Sequence, residues 1–237
     1  MRHVMLLTVA LLCGSRALTA QAPDKELVAT ISGPALSGSI VSGLAWDGGV
    51  LIVQTAAMQK DGTRSARYLT VPGPGMRVGE LAEAPPGVER YWQMKASRTS
   101  PGGLGKITLN SDSKLPMYGI ASQERRLLDS MDMGGIRVTH ELRIGELVLH
   151  RRSGVAPYDG EVWSWSPLEL NRIAYVDGEG DLWIAHADGR GAERVLKGKF
   201  TLPAWSEDGL LLAVAERKSD GAKWEVSVIH LPERYRR

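Results

Sequence analysis

The chain has 237 residues, of which 29 are basic, 27 are acidic and one is cysteine. This length suits a single domain with a sizeable core, and the nearly balanced charge lacks the basic surface that nucleic-acid binding requires. The composition therefore excludes a nucleic-acid-binding domain and a disulfide-rich scaffold.

Residues 1–20 have the pattern of a secretory signal peptide. Arg2 and His3 precede an apolar run from Val4 to Leu12, and Ala20 is a small residue at the expected cleavage site. The apolar run is far shorter than the ~20 residues that a membrane-spanning helix needs. We therefore expect cleavage near Ala20, a periplasmic or secreted mature protein, and no transmembrane span.

Cleavage changes the composition of the mature chain. Loss of the signal peptide removes Cys13, so no disulfide is expected. It also removes Arg2 and Arg16, which leaves 27 basic and 27 acidic residues. We predict a single domain over residues 21–233, followed by a short, disordered basic tail at 234–237.

Short alternating apolar runs, bounded by Gly, Asp, Asn and Pro, follow along the mature chain and are typical of β-strands. The first run, Leu27–Ser32, has no partner strand near it in the sequence. The segment 43–75 then contains Trp46, a run from Val50 to Val53, an Asp-Gly turn and a run from Tyr68 to Val71. This order of parts predicts one compact antiparallel unit.

A fainter second unit is predicted to begin at Trp92. Its strands are placed at three apolar runs: Lys106–Leu109, Met117–Ala121 and Arg126–Leu128. Ile136–Arg152 supplies two strands of a short third unit. Ser122–Met131 is the one candidate helix, although an outer strand and loop explain it equally well. The glycine-rich segment 102–105 lacks the strand-then-helix context of a phosphate loop and is interpreted as a turn.

The final segments repeat with a period of about forty residues, which is typical of propeller blades. Three stretches return in order: Trp165-Ser166-Pro167 as Trp205-Ser206-Glu207, Ile173–Val176 as Leu212–Ala215, and Leu182–His186 as Val226–His230. They define a fourth unit at about 161–200 and a fifth at about 201–231. The sequence thus predicts an all-β propeller of about five blades, with four to six possible.

The two ends of the chain are expected to meet in the last unit. Val226–Leu231 is followed by Pro232, so this unit has no fourth strand of its own. We expect Leu27–Ser32 to pair with Val226–Leu231 or with another strand of the final blade, because this closes the ring and removes an open edge. Since residues 136–152 form only a short unit, a ring of four blades with an inserted hairpin is the alternative.

The repeated segments resemble the blade repeat of the TolB-type periplasmic β-propellers, which also forms the propellers of the prolyl-oligopeptidase and dipeptidyl-peptidase families. In that repeat a Trp-Ser-Pro-Asp-Gly turn precedes a strand. Residues 205–209 keep the turn with Glu in place of Pro, and residues 165–167 keep its first half. The resemblance implies an exported scaffold that binds a protein or cell-envelope component. We expect the aromatic plates of Trp46, Trp165 and Trp205 to lie in the core.

The candidate ligands and acids do not assemble into a recognisable site, and we predict no catalytic, cofactor or metal residue. No Gly-x-Ser-x-Gly elbow occurs, so we expect no hydrolase domain of the kind found in the related peptidases. His140, Glu146 and His150 share parity along adjacent strands but lack the spacing of a zinc site. His186 and His230 occupy the same position in successive units and are interpreted as a feature of the repeat.

The acidic residues leave two interpretations of function open. Asp177–Asp181 alternates carboxylates as a calcium loop would, but it is shorter than an EF-hand loop, so a polar hairpin tip is favoured. Glu161, Asp177 and Glu216 are scattered and nominate no glycosidase pair. The leading hypothesis is a monomeric, non-catalytic binding scaffold. The alternative is an enzyme acting on a carbohydrate or lactone-like substrate in a polar central channel, whereas a filled channel would favour binding.

Overall fold

The computed structural model describes residues 23–32, 40–58, 64–74, 76–112, 139–154, 160–218 and 223–235. Several sequence predictions lie outside these ranges: the signal peptide at 1–20, the strands Met117–Ala121 and Arg126–Leu128, and the candidate helix Ser122–Met131. No helix in the described ranges is long and apolar enough to cross a membrane.

The described ranges form four antiparallel sheets, which we number in chain order. Sheet 1 contains β2 (Ile40–Asp47), β3 (Val50–Met58), β4 (Arg64–Val71) and β5 (Gly79–Leu81). Sheet 2 contains β6 (Ile107–Asp112), β7 (Thr139–Ile144) and β8 (Leu147–Ser153). Sheet 3 contains β9 (Trp163–Trp165), β10 (Arg172–Val176), β11 (Leu182–His186) and β12 (Glu193–Leu196). Sheet 4 contains β13 (Phe200–Trp205), β14 (Leu211–Arg217), β15 (Lys223–His230) and β1 (Asp24–Ser32).

Strands dominate the described chain, which confirms the predicted all-β fold class. The alternating runs form the strands because each sheet packs on at least one face. In sheets covered on both faces the alternation disappears, and all five residues of β10 are buried.

The pairing of the chain ends follows the prediction. β1 runs antiparallel to β15, with Leu27 opposite Ser227 and Ile31 opposite Trp224. The N-terminal strand thus completes the last sheet and covers the edge that β15 would otherwise expose.

Three hydrophobic clusters join neighbouring sheets. The first lies between sheets 1 and 4, the second between sheets 4 and 3, and the third between sheets 3 and 2. Their largest fully buried members include Leu44, Leu51, Trp205, Trp163 and Trp165. Sheets 2, 3 and 4 therefore pack in the order of the chain, and sheet 1 packs against sheet 4.

One helix, α1 (Pro86–Ala96), corrects the predicted second unit. Trp92 lies within this helix instead of preceding a strand. Pro86 occupies the first turn, Glu89 follows near the N-terminus and Lys95 lies in the last turn, an arrangement that suits a helix and its dipole. The sequence interpretation failed because Trp92 was taken as a blade marker.

The predicted second and third units merge into one sheet. β6 pairs with β7, and β7 pairs with β8, so the hairpin formed by β7 and β8 is not a separate unit. The described chain therefore contains four sheets, one fewer than the five units favoured from the sequence and within the range of four to six.

The first two residues of the predicted basic tail pack against the sheets. Glu233–Tyr235 form a 3₁₀ turn in which Tyr235 is buried against sheets 3 and 4. Arg234 pairs with Glu193 at 3.2 Å, and its carbonyl accepts a hydrogen bond from Arg172. The expectation of a disordered tail is thus wrong for Arg234 and Tyr235, because they bind the ends of the neighbouring strands.

Candidate functional site

Serine turns link the first two strands of the repeated sheets. The backbone N–H of Arg172 donates to Ser166 Oγ at 2.9 Å, and that of Leu211 donates to Ser206 Oγ at the same distance. In return, the backbone N–H groups of Ser166 and Ser206 donate to the carbonyl oxygens of Arg172 and Leu211. Each serine hydroxyl oxygen therefore accepts a hydrogen bond from the first backbone N–H of a strand, which stabilises the turn.

A third serine turn, at Ser100, was missed from the sequence. Gly105 donates its N–H to Ser100 Oγ at 2.9 Å, and Ser100 N–H donates to the Gly105 carbonyl. Thr99 stands where the repeat has tryptophan. Its backbone forms an isolated antiparallel β-bridge with Lys106, the residue before β6. The signal in the sequence was the Ser-Pro-Gly-Gly segment, which keeps the turn residues of the repeat without its tryptophan.

The three repeat tryptophans are buried, which confirms the core prediction for them. Each indole N–H donates to a backbone carbonyl of a neighbouring unit: Trp46 to Ala204 (3.0 Å), Trp205 to Ser164 (3.1 Å) and Trp165 to Ser97 (2.8 Å). These bonds link sheet 1 to sheet 4, sheet 4 to sheet 3, and sheet 3 to the residue that follows α1.

Trp92 adds a fourth bond of the same kind. Its indole N–H donates to the Leu44 carbonyl on β2 at 3.2 Å, and its ring stacks on Tyr68 with 6.1 Å between ring centroids. Because Ser97 and Trp92 belong to the same short segment, the series of indole bonds returns to sheet 1.

Helix α1 lies across the ends of β2, β13 and β9. Its buried face presents Val88, Tyr91 and Lys95, which are spaced three and four residues apart. Tyr91 donates its hydroxyl to the Trp205 carbonyl at 3.0 Å, and burial raises the pKa of Tyr91 well above its ordinary value. At the other end of the helix, a side chain at Gly87 would lie 2.5 Å from Asp47 Oδ1. The helix therefore covers the end at which these three strands stop.

Lys95 is the ionisable group most affected by this packing. The residue is 3% exposed, and burial lowers its pKa from 10.5 to about 7. Within the described part of the chain it has no hydrogen-bond or ion-pair partner. Sequence analysis missed it, although its spacing from Val88 and Tyr91 places it on the apolar face of the helix.

The structure separates the two histidines once considered as metal ligands. His140 bonds Ser111 Oγ and the Gly154 carbonyl, whereas His150 turns to the Val176 carbonyl. Glu146 is exposed in the turn between β7 and β8. No group of three or more potential metal ligands occurs among the described residues.

The repeat-related histidines end equivalent strands. His186 is the last residue of β11 and His230 is the last residue of β15, each the third strand of its repeat unit. His230 lies 3.6 Å from Glu26 on β1, so its contact belongs to the joint between the two chain ends.

The carboxylates of the acidic loop at residues 177–181 accept hydrogen bonds that stabilise the hairpin tip. Asp177 Oδ1 accepts N–H groups from Glu179 and Asp181, and Oδ2 accepts the Trp183 indole at 2.7 Å. Asp181 accepts the Gly198 N–H and pairs with Arg194 at 3.2 Å. These contacts favour the hairpin interpretation over a calcium loop.

The other candidate acids lie in separate ion pairs. Glu161 is 3.6 Å from Arg152, while Glu216 pairs with Lys25 and Lys218 at 3.6 and 3.4 Å. No pair of described acids considered from the sequence therefore faces a common space.

A polar groove of about 420 Å³ lies on sheet 2. It is lined by Asn110, Ser111, Thr139, Glu141 and Arg151. Glu141 accepts hydrogen bonds from Arg143 and Arg151, which hold the pKa of its carboxyl below the ordinary value. The groove is open to solvent, and its one acid is engaged by two guanidinium groups.

Comparisons with known proteins do not identify a family. No family model matches the chain, and no curated protein matches it. Among solved structures, the chain is similar to Sqt1 of Chaetomium thermophilum at 15% identity, over 82% of this chain and 45% of that chain, with a TM-score of 0.24. This chain thus spans less than half of that protein, and the score is too low to support an argument about fold or function.

Proposed function

We propose that the protein is an exported β-propeller of the TolB-like type that binds a protein or cell-envelope partner without catalysis of its own. The observation that carries this proposal is the position of α1. The helix packs on β2 and β9 and reaches the last residues of β2 and β13 through Gly87 and Tyr91, where a central channel would open. It fills that position with Val88, Tyr91 and Lys95.

The propeller itself is part of the proposal. In this arrangement the four sheets are blades, with α1 and Ser97 bridging between sheets 2 and 1. It is supported by the three clusters between sheets, the four indole bonds and the pairing of β1 with β15.

The binding surface is placed on the outer side of α1 and the adjacent serine turns. Met94 on α1, Leu104 after Gly103 and Leu210 after Gly209 are 39%, 63% and 40% exposed. Leu104 and Leu210 occupy equivalent places in two serine turns, and both turns lie at the end that α1 covers. Exposed apolar side chains on one end of a molecule are typical of contact with another macromolecule.

This arrangement disfavours the enzyme alternative. A carbohydrate or lactone substrate that approached the centre from this end would meet the helix. The described groups on its inner face are an aromatic hydroxyl bonded to a carbonyl and one unpaired lysine, without a second acid or base beside it.

Site-specific photo-crosslinking in envelope-containing cells tests the proposal. The crosslinking residue replaces Met94 or Leu104 in the full chain, and Ile40 is the matched control because it is about half exposed at the opposite end of β2. We expect one identifiable partner from positions 94 and 104 but not from 40. The paired variants Met94→Glu and Leu104→Glu should weaken its binding without lowering the midpoint of unfolding. Equal crosslinking from position 40, or turnover of glycosides or lactones by the purified protein, would overturn the proposal.

A further inference from the structure

His150 is a buried histidine at the joint between sheets 2 and 3. It lies on β8, is 7% exposed, and its Nδ1 is 2.9 Å from the Val176 carbonyl oxygen on β10. A carbonyl oxygen accepts but cannot donate, so Nδ1 carries the proton. In the neutral ring, Nε2 then holds a lone pair. This Nε2 is enclosed and has no hydrogen-bond partner among the described residues.

We propose that His150 is an acid-sensitive joint between sheets 2 and 3, which is tight while the ring is neutral and loosens when Nε2 takes a proton. Protonation adds a charge and an N–H group at an enclosed position where the described residues offer no acceptor. Both the charge and the unsatisfied donor are costly in such surroundings.

The backbone packed around His150 prevents its imidazole ring from reaching solvent by a local movement. The neighbouring hairpin tip approaches β8 so closely that a Cβ at Gly178 would lie 2.3 Å from the Arg151 carbonyl oxygen. A solvated imidazolium therefore requires β8 and the β10–β11 hairpin to move apart.

The charged groups facing His150 come from each neighbouring element. Arg152 follows it on β8, Glu161 precedes β9 and Asp177 follows β10. Burial is the largest effect and lowers the pKa of His150; the Val176 carbonyl opposes it, Arg152 adds to it, and Glu161 and Asp177 oppose it. Tyr175 on β10 stays neutral because burial raises its pKa to about 12.

The direction of the pH effect follows from linkage. Because the pKa of His150 in the folded protein lies below the ordinary value of 6.5, the unfolded chain binds more protons as the solution is acidified. The stabilisation is complete above pH 6.5 and is lost as the pH falls through the folded-state value. The joint should therefore weaken on the acid side of neutrality.

Two measurements on the intact protein test this inference. The first is an NMR titration of the His150 ring, which should report the Nδ1–H tautomer at neutral pH and a pKa below that of free histidine. The second is amide hydrogen exchange in β8 and β10, corrected for the intrinsic pH dependence. We expect protection there to fall several-fold between pH 7.5 and 5.0, more than in sheet 1.

Two variants separate the joint from general acid sensitivity. His150→Asn keeps a donor for Val176 but cannot titrate, so its exchange in β8 and β10 should become insensitive to pH. His140→Asn, on the neighbouring strand β7, is the matched control and should behave like the wild type. Equal acid sensitivity in His150→Asn, or a pKa at or above the free-histidine value in the wild-type titration, would overturn the inference. The titration decides the matter even if His150→Asn does not fold, and neither result depends on the proposed partner.

Discussion

Trp205 donates its indole N–H to the carbonyl oxygen of Ser164 at 3.1 Å, across the interface between sheets 4 and 3. Ser164 in turn lies in β9, directly before Trp165, whose own indole reaches Ser97 beyond the next interface. Each repeat tryptophan thus contributes both apolar area and one directed bond between units. The repeat in the sequence is a repeat of connections between sheets as well as of strands.

Truncation of these tryptophans should destabilise the fold. We expect Trp165→Ala and Trp205→Ala each to lower the free energy of unfolding by roughly 3–5 kcal/mol, because a large buried ring is replaced by a cavity. Trp205→Phe keeps most of the ring and should cost about 1–2 kcal/mol for the unpaired Ser164 carbonyl and the smaller volume. Denaturant unfolding measures both effects. An unchanged midpoint with loss of partner binding would instead make these tryptophans recognition residues.

Removal of the N-terminal strand should expose the edge of β15. Deletion of residues 21–33 is expected to lower thermal stability and promote aggregation, because the unpaired strand edge becomes available to other chains. Two point variants on β1 give a matched comparison. Ile31→Asp buries a charge, whereas Leu27→Asp places one at a half-exposed position. Melting temperature and light scattering should show a severe effect for Ile31→Asp only. A monomeric deletion variant with unchanged stability would contradict the closure of sheet 4 by β1.

Replacement of Lys95 should stabilise the protein near neutral pH. Its pKa is about 7 in the folded chain and near 10.5 in the unfolded chain, so between these values the unfolded state binds more protons and stability rises with pH. Lys95→Met should remove this slope and raise the free energy of unfolding at pH 7 by on the order of 3 kcal/mol. Urea unfolding at pH 6, 7, 8.5 and 10 measures the difference from the wild type. Lys106→Met, at an exposed position, is the control, and an equal pH profile for the two variants would refute the prediction.

Loss of the Ser100 hydroxyl should weaken the start of sheet 2. Ser100→Ala leaves the Gly105 N–H without its acceptor, at a cost of about 1–2 kcal/mol. Ser206→Ala should have a similar effect because Leu211 N–H loses the same partner. The exposed Thr108→Ala on β6 should stay within about 0.5 kcal/mol of the wild type. If Ser100→Ala resembles Thr108→Ala, then Ser100 is not equivalent to the repeat serines.

Much of the local structure was predictable because it is encoded in short-range patterns. Alternation of apolar residues located β10, β11 and β14 within one or two residues and the cores of β1, β3, β4, β6 and β15, whose ends extend three to five residues further. The serine and tryptophan repeats located sheets 3 and 4. The pairing of β1 followed from an edge argument: a last unit without a fourth strand and a first strand without a unit complete each other. The candidate ligands failed to assemble because equal parity on two strands does not bring His140 and His150 to a common point.

The sequence by itself determined where the clearly alternating strands form, since their pattern lies in the residues of the strand itself. Only the tertiary structure decided which strands share sheet 2, that Trp92 belongs to a helix, and that Lys95 and His150 are buried without a full set of partners among the described residues. These features depend on residues distant in the chain: the Trp46 indole meets a carbonyl 158 positions away, and the Trp205 indole meets one 41 positions away. Burial and pKa depend on what packs over a side chain, and that is fixed only when the sheets and α1 come together.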